Sequence, residues 1–325
     1  MLMIIRAKYL LPIAFAVASL FYVPTAMAEW TKQNSGTLAA LRSVYFIDEN
    51  KGWIVGSNGT FLVTDNGGKA WKRGRKFTDD NIRDVYFSDP TTGWLLCDRG
   101  PFRDTESSPS YLMRTIDGGS NWERNNFPES SDRLVRFFFT KDGYGFAVGE
   151  GGGIWQMLDD KKTWKRSELP SRFLIFAGTF IDDFNGVLVG SGGTVLFTFD
   201  RGVEWKNAII PAGAKTRLHS VFFINQDTGW TAGVKGKIYV TSNGGKVWRE
   251  QTSGINQDIS DIFFVNLTNG FAVGDKGTII ETKSGGVTWT AVDTGFNSPL
   301  ERVFFIGKKG FIVGFGGVIL TNRVE

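Results

Sequence analysis

Seven tryptophans, Trp30, Trp71, Trp122, Trp164, Trp205, Trp248 and Trp289, stand at intervals of 41, 51, 42, 41, 43 and 41 residues. Each sits in the same local pattern, so the chain is a repeat array, and whatever one unit folds into its neighbours must repeat. A Gly- and aromatic-rich period of about 40–45 residues has the length of four short antiparallel strands with their turns, the size of one β-propeller blade.

The register follows from the residues. Each unit opens on alternating apolar positions such as Val44-Tyr45-Phe46, Val85-Tyr86-Phe87 and Val221-Phe222-Phe223, which at period two predict an inner strand a. A Gly-aromatic or Gly-Val pair (Gly52-Trp53, Gly186-Val187, Gly270-Phe271) starts strand b, which runs to Gly56, Gly149, Gly190, Gly233, Gly274 or Gly314. A short turn then folds the chain into strand c. In the second unit Cys97 replaces the turn glycine, and we expect a small residue in a tight turn there. Strand c ends in a box of Thr, any residue, Asp or Asn, a Gly-rich pair, two residues and Trp, clearest from Thr64 to Trp71 and from Thr241 to Trp248. The acid or amide predicts a hairpin closed by its short polar side chain, with Gly68, Gly119, Gly202 or Gly245 at positive φ. The third box is degenerate (Met157, Asp159, Lys161, Trp164) and the sixth has Ser284 for the acid, which predicts a structural role rather than a shared ligand site.

The seventh unit has strands a, b and c but no tryptophan-bearing strand d. Trp30 lies in a matching segment at the other end of the repeats, so residues 29–325 are expected to form an all-β, seven-bladed β-propeller of four-stranded blades. Its N-terminal strand completes the last blade and leaves no free edge. The seven tryptophans are the structural repeat residues, each plugging the gap beside a neighbouring blade.

Residues 1–28 read as a cleaved signal peptide. Arg6 and Lys8 precede an apolar run from Tyr9 to Val23, shorter than the roughly 20 residues of a spanning helix, and Ala26-Met27-Ala28 offers a cleavage site. An exported, periplasmic protein without a membrane segment after cleavage is expected, or one in a thylakoid-lumen-like compartment if the source is a phototroph. The formal net charge is +4, two of whose contributors lie in the leader, which argues against a nucleic-acid partner. With one histidine, His219, and one cysteine, Cys97, the chain offers no multi-histidine metal site, no internal disulfide and no triad motif. No metal, no cofactor and no catalytic residue are expected. His219 reads as a partly buried or surface residue just before strand a. The tracts Gly149 to Gly153 and Gly190 to Gly193 are hairpins of the repeat rather than phosphate loops.

What remains is surface. The longest insertion, Cys97 to Ser110, carries Arg99 and Arg103 and is extra to the scaffold, as binding loops often are. Positions leading into strand a are often basic: Arg42, Arg83, Arg133, Arg136, Arg217 and Arg302. They predict a patch around the channel mouth for an acidic or carboxylate-bearing partner, set against a solvated rim balanced by Asp80, Asp84, Asp132 and Glu301.

With box, period and leader in hand, the chain resembles the photosystem II stability/assembly factor family, a branch of the Asp-box (bacterial neuraminidase repeat) propellers. The resemblance is carried by Gly52-Trp53 to Gly56, Thr64 to Trp71 and Thr241 to Trp248, and covers residues 29–325. It implies an exported, non-enzymatic single propeller that holds a newly made membrane subunit during assembly. The partner it implies is a membrane protein complex subunit, or a transporter component, on the periplasmic or lumenal side. Photosynthetic members carry a dense arginine segment in the middle blades, where Ser171 to Phe180 and Lys215 to Phe223 hold only Arg172 and Arg217. Two other classes compete. An exported Asp-box glycoside hydrolase would need a carboxylate pair, and a sialidase an Arg-Ile-Pro motif that this chain lacks. A carbohydrate- or peptide-binding module would use exposed aromatics, for which Phe77, Phe127, Phe173 and Phe296 are candidates.

Overall fold

The alternating stretches form seven antiparallel four-stranded sheets in a computed structural model that describes residues 30–100, 108–128, 132–158, 162–211 and 215–324. The leader therefore lies outside the described residues, as do Arg103, Asp104 and Glu106 of the insertion and Asp159 and Lys161 of the third box. No helix among the described residues is long and apolar enough to cross a membrane. In six blades the strands follow chain order; the first is Leu41–Phe46, Gly52–Gly56, Phe61–Thr64 and Lys72–Arg73. The inner strands touch one another in sequence, and Leu300–Ile306 of the seventh blade returns to Leu41–Phe46 of the first. The ring is closed in the seventh blade, where Thr31–Gln33 pairs with Val318–Arg323 in the register Thr31↔Thr321, Lys32↔Leu320 and Gln33↔Ile319.

The boxes act as hairpin locks. In the first, Thr64 Oγ1 donates to Asn66 Oδ1 at 2.9 Å and accepts from the Gly68 amide at 2.9 Å, while Asn66 Oδ1 accepts from the Ala70 amide at 3.0 Å. Gly68 sits at φ +70°, where an L side chain is strained. The sixth box needs no acid, because Ser284 Oγ accepts from the Thr288 amide at 3.0 Å. Each lock delivers its tryptophan between two blades. Trp30 meets Phe305 of its own blade edge-on at 6.0 Å and Phe271 of the preceding blade at 5.8 Å, and Trp71 does the same with Phe46 and Phe311. Such rings supply the largest apolar area a side chain can bury, so the blade interfaces are the hydrophobic core.

The glycine closing strand b has a packing reason. A β-carbon on Gly274 would stand 1.9 Å from the Asp258 carbonyl oxygen, and one on Gly56 2.3 Å from that of Ala40, because the next turn folds hard against the preceding d-to-a connection. In the second blade no such turn occurs. Strands b and c run on as a longer ladder, with Cys97 opposite Ile82 and Tyr111, which corrects the expectation of a tight turn at Cys97. The thiol is fully buried among Trp53, Val55 and Tyr111, and burial pushes it up to about 12.

Candidate functional site

Every inner strand carries a β-bulge at the same place. The pairing slips between Leu41 and Ser43, and at the matching step in each of the other six blades. A bulge leaves one residue out of the ladder and re-aims its side chain. The seven residues left out are Arg42, Arg83, Val135, Phe176, His219, Ser260 and Glu301. Together with Arg136 they line one cavity of about 230 Å³ at the channel mouth. A single local irregularity, repeated seven times, thus builds the site.

Arg133 and Arg217 lead into strand a as the sequence suggests, whereas Arg42, Arg83, Arg136 and Arg302 belong to it, because the bulge moves the strand's start upstream. His219 likewise lies within strand a. Of the seven candidate arginines among the described residues, only Arg42, Arg83 and Arg136 line the cavity. Arg302 turns onto Asp84, with Nη2 to Oδ1 at 2.8 Å. Arg133 pairs with Asp98, which Arg83 also grips through Nε at 2.9 Å and Nη2 at 2.7 Å. Arg99 folds back to donate to the Ser108 carbonyl at 2.7 Å, with its guanidinium 5.2 Å from the Tyr111 ring centroid. Arg217 precedes the bulge of the fifth blade and is not among the lining residues, and Arg103 lies outside the described residues.

The balancing acids are not a solvated rim either. Asp80 and Asp84 are buried, Glu301 is bridged to Arg42 at 2.9 Å, and Asp132 is bridged to Arg166 at 3.0 Å. Burial raises the Glu301 carboxyl, opposed by Arg42, Arg136 and Arg83, so these four groups share one field. His219 is held by its Nδ1 contact to the Ile259 carbonyl at 2.9 Å and packs edge-on to Phe176 at 4.9 Å; burial lowers its basicity, which favours the neutral ring.

One step deeper lie Ser43, Asp84, Arg136, Ala177, Ser220, Asp261 and Arg302, again one per blade. Asp84 accepts from Ser43 Oγ at 2.7 Å and from Arg302, and Asp261 accepts from Ser220 Oγ and, at 3.0 Å, from the Val303 amide. Burial raises the Asp261 carboxyl to about 6. Two residues further along strand a, Phe222, Phe263, Phe304, Tyr45 and Tyr86 touch in an arc, with centroids 4.5–5.9 Å apart. The channel is therefore polar at its mouth and aromatic below.

Sequence reasoning missed Val135, Phe176, Ser260 and Asp261. The signal was present: each follows, by one residue or two, the Leu or Ile that opens strand a, and aligning the units on that residue brings them into register. Of the four candidate aromatics, Phe77 packs on Phe61 and Trp122, Phe127 lies between Trp155 and Trp164, and Phe296 lies beneath Lys32. Those three cap blades. Only Phe173, 56% exposed, presents itself to solvent.

A family model described as "Photosynthesis system II assembly factor YCF48" matches residues 23–87, 156–253 and 246–324. Photosystem II stability/assembly factor HCF136, chloroplastic, from Arabidopsis thaliana is 25% identical over 138 residues, which are 40% of this chain and 32% of that protein. The match thus spans about a third of that relative's length. Among solved structures, YCF48 bound to D1 peptide is 22% identical with a TM-score of 0.73, over 92% of this chain and 96% of that one. YCF48 from Cyanidioschyzon merolae is 20% identical with a TM-score of 0.74, over 91% and 99%. Virginiamycin B lyase from Staphylococcus aureus is 12% identical with a TM-score of 0.77, over 92% and 100%. At these identities the solved structures establish the fold alone, and function must be argued from the site.

Proposed function

The chain belongs to the photosystem II assembly factor YCF48 family, and on that footing we propose that it is a non-enzymatic assembly or stability factor. In this reading its channel mouth holds an acidic, carboxylate-bearing segment of a membrane-complex subunit. The observation that carries the reading is the convergence of Arg42, Arg83 and Arg136 in one cavity, aimed there by the scaffold itself. Guanidinium groups can pair with carboxylates through two N–H donors, and Arg42 makes a single such contact to Glu301 through Nη1, leaving further donors to the cavity. A relative solved with a D1 peptide supports a peptide segment as the ligand class. In this reading the client sits on the periplasmic or lumenal side and is a complex subunit or a transporter component, which the apolar run from Tyr9 to Val23, read as an export signal, supports.

The hydrolase reading loses support in the hub. Asp84 and Asp261 are buried and already accept hydrogen bonds from serine, arginine or backbone donors. A glycosidase pair must keep its oxygens for the sugar and water. Fluorescence anisotropy with a labelled acidic peptide tests the proposal. Replacing Arg42 and Arg83 by glutamine should weaken binding by about tenfold or more, the loss of at least one charge-assisted contact. Equal affinity in the double variant would remove the mouth from consideration.

A further inference from the structure

The face opposite the mouth differs in one blade. In the first, fifth and sixth blades the c-to-d hairpin lies over the a-to-b turn of its own blade, with the Gly67, Gly244 and Gly285 amides donating to the Asn50, Asp227 and Thr268 carbonyls at 2.8–3.0 Å. In the seventh blade strands c and d come from distant parts of the chain, so among the described residues no c-to-d hairpin covers the turn at Gly307 to Lys309. A notch of about 360 Å³ is left there, bounded by Thr31, Glu49, Lys308, Lys309, Asn322 and Arg323.

Two independent observations describe what this notch lacks. The first is charge: Lys308, Lys309 and Arg323 line it against one acid, Glu49, and none of these four makes an ion pair among the described residues. Lys309 donates to the Gly67 carbonyl instead, and burial, with Lys69 and Arg323 nearby, lowers its affinity for its proton. The second is an orphan donor. Asn322 is 6% exposed, and its Nδ2 is buried with no hydrogen-bond partner among the described residues. Buried amides nearly always find partners, so an unmet donor in the wall of a cationic notch marks the place of an acceptor. We propose that this notch is a phosphate-binding site, in which one phosphate group accepts from Asn322 Nδ2 and is neutralised by Lys308, Lys309 and Arg323.

A phosphate suits the site better than a lone carboxylate because it carries close to two charges and three or more acceptor oxygens. Three cationic side chains and one amide donor match that number. Free phosphate presents that full set, and the phosphodiester headgroup of an anionic lipid presents the same kind of acceptor oxygens with a single charge.

Titration calorimetry of the full chain with inorganic phosphate tests the site, beside the double variant Lys308→Gln, Arg323→Gln and the control Lys276→Gln on the opposite face. Saturable binding by wild type and control, weakened about tenfold or more in the double variant, is the expected result. Thermal melts of the variant confirm that it is folded, and Asn322→Asp, which replaces the orphan donor by a negative acceptor, should abolish binding on its own. Co-sedimentation with phosphatidylglycerol vesicles but not phosphatidylcholine vesicles, lost in the same double variant, assigns the phosphate to a lipid headgroup. Phosphate binding without vesicle binding assigns it to a soluble ligand. No saturable binding by wild type, or binding unchanged in the double variant, overturns the proposal. Because the notch lies on the face away from the mouth, acidic-peptide binding should survive these substitutions, which keeps the two sites separable.

Discussion

Arg302 of the seventh blade reaches past Ser43 of the first to donate to Asp84 of the second at 2.8 Å, a contact between residues 218 positions apart in the chain. Ser43 Oγ donates to the same carboxylate oxygen, and Arg136 of the third blade stands 3.9 Å from the other. Four blades are thus tied through one buried acid. Removing that acid as Asp84→Ala should leave the Arg302 guanidinium without its counter-charge in a desolvated channel and cost about 3–5 kcal/mol. Urea denaturation measures this, and a loss below about 1 kcal/mol would mean that the hub network is not a structural tie.

Closure of the ring rests on a short strand and one aromatic. Trp30 is 6% exposed and fills the seam between the sixth and seventh blades. Trp30→Ala should cost about 3–5 kcal/mol, as other large core truncations do, and broaden the thermal transition because the ring is unlatched. Calorimetry showing an unaltered melt would contradict the role given to Thr31–Gln33.

A single methyl group should be costly where strand b ends. At Gly274 a β-carbon would lie 1.9 Å from the Asp258 carbonyl oxygen, a backbone atom that cannot swing away. Gly274→Ala is expected to destabilise by about 1–3 kcal/mol through overpacking, read as a shift in the denaturation midpoint.

The thiol of Cys97 should be silent. Full burial and a titration point near 12 leave almost no thiolate at neutral pH. An aromatic disulfide reagent should label the native protein only on unfolding. Rapid stoichiometric labelling without denaturant would show that the second blade opens locally.

Asp261 makes stability depend on pH. Its carboxyl is raised to about 6, first by burial, against an ordinary value of 3.8. A group that holds its proton more tightly when folded stabilises the fold when protonated. Its contribution is complete below about pH 4 and is lost as pH rises through 6, a change of about 2–3 kcal/mol. Asp261→Asn should remove that part of the slope between pH 4.5 and 7 in urea titrations; an identical slope would assign the dependence elsewhere.

The blade plan was legible because its causes are local and repeated: box hairpins such as Thr64 to Trp71 fix turns, and alternation such as Val44-Tyr45-Phe46 fixes strands. The site was legible only in part. Arg42 and Arg83 stood out by charge, but nothing local to them says that Arg302 turns inward while Arg42 does not. That choice depends on Asp84, which is distant in sequence and adjacent only across the ring. Cys97 was misplaced for a similar reason: its neighbours resemble a turn, while pairing to Tyr111 across the insertion keeps it in a strand. Asp98 falls by sequence within the Cys97 to Ser110 insertion, yet it is buried and gripped by two arginines.

The bulge in each inner strand separates two demands that usually compete. Ladder residues are committed to holding the blades together, whereas the residue skipped by the ladder turns its side chain to the channel, even where, like Arg83 on Asp98, it also holds a partner. Seven such positions encircle the channel, so its recognition chemistry can be rewritten one letter at a time, as Val135 and Phe176 beside Arg83 already illustrate, while the architecture beneath keeps its spelling.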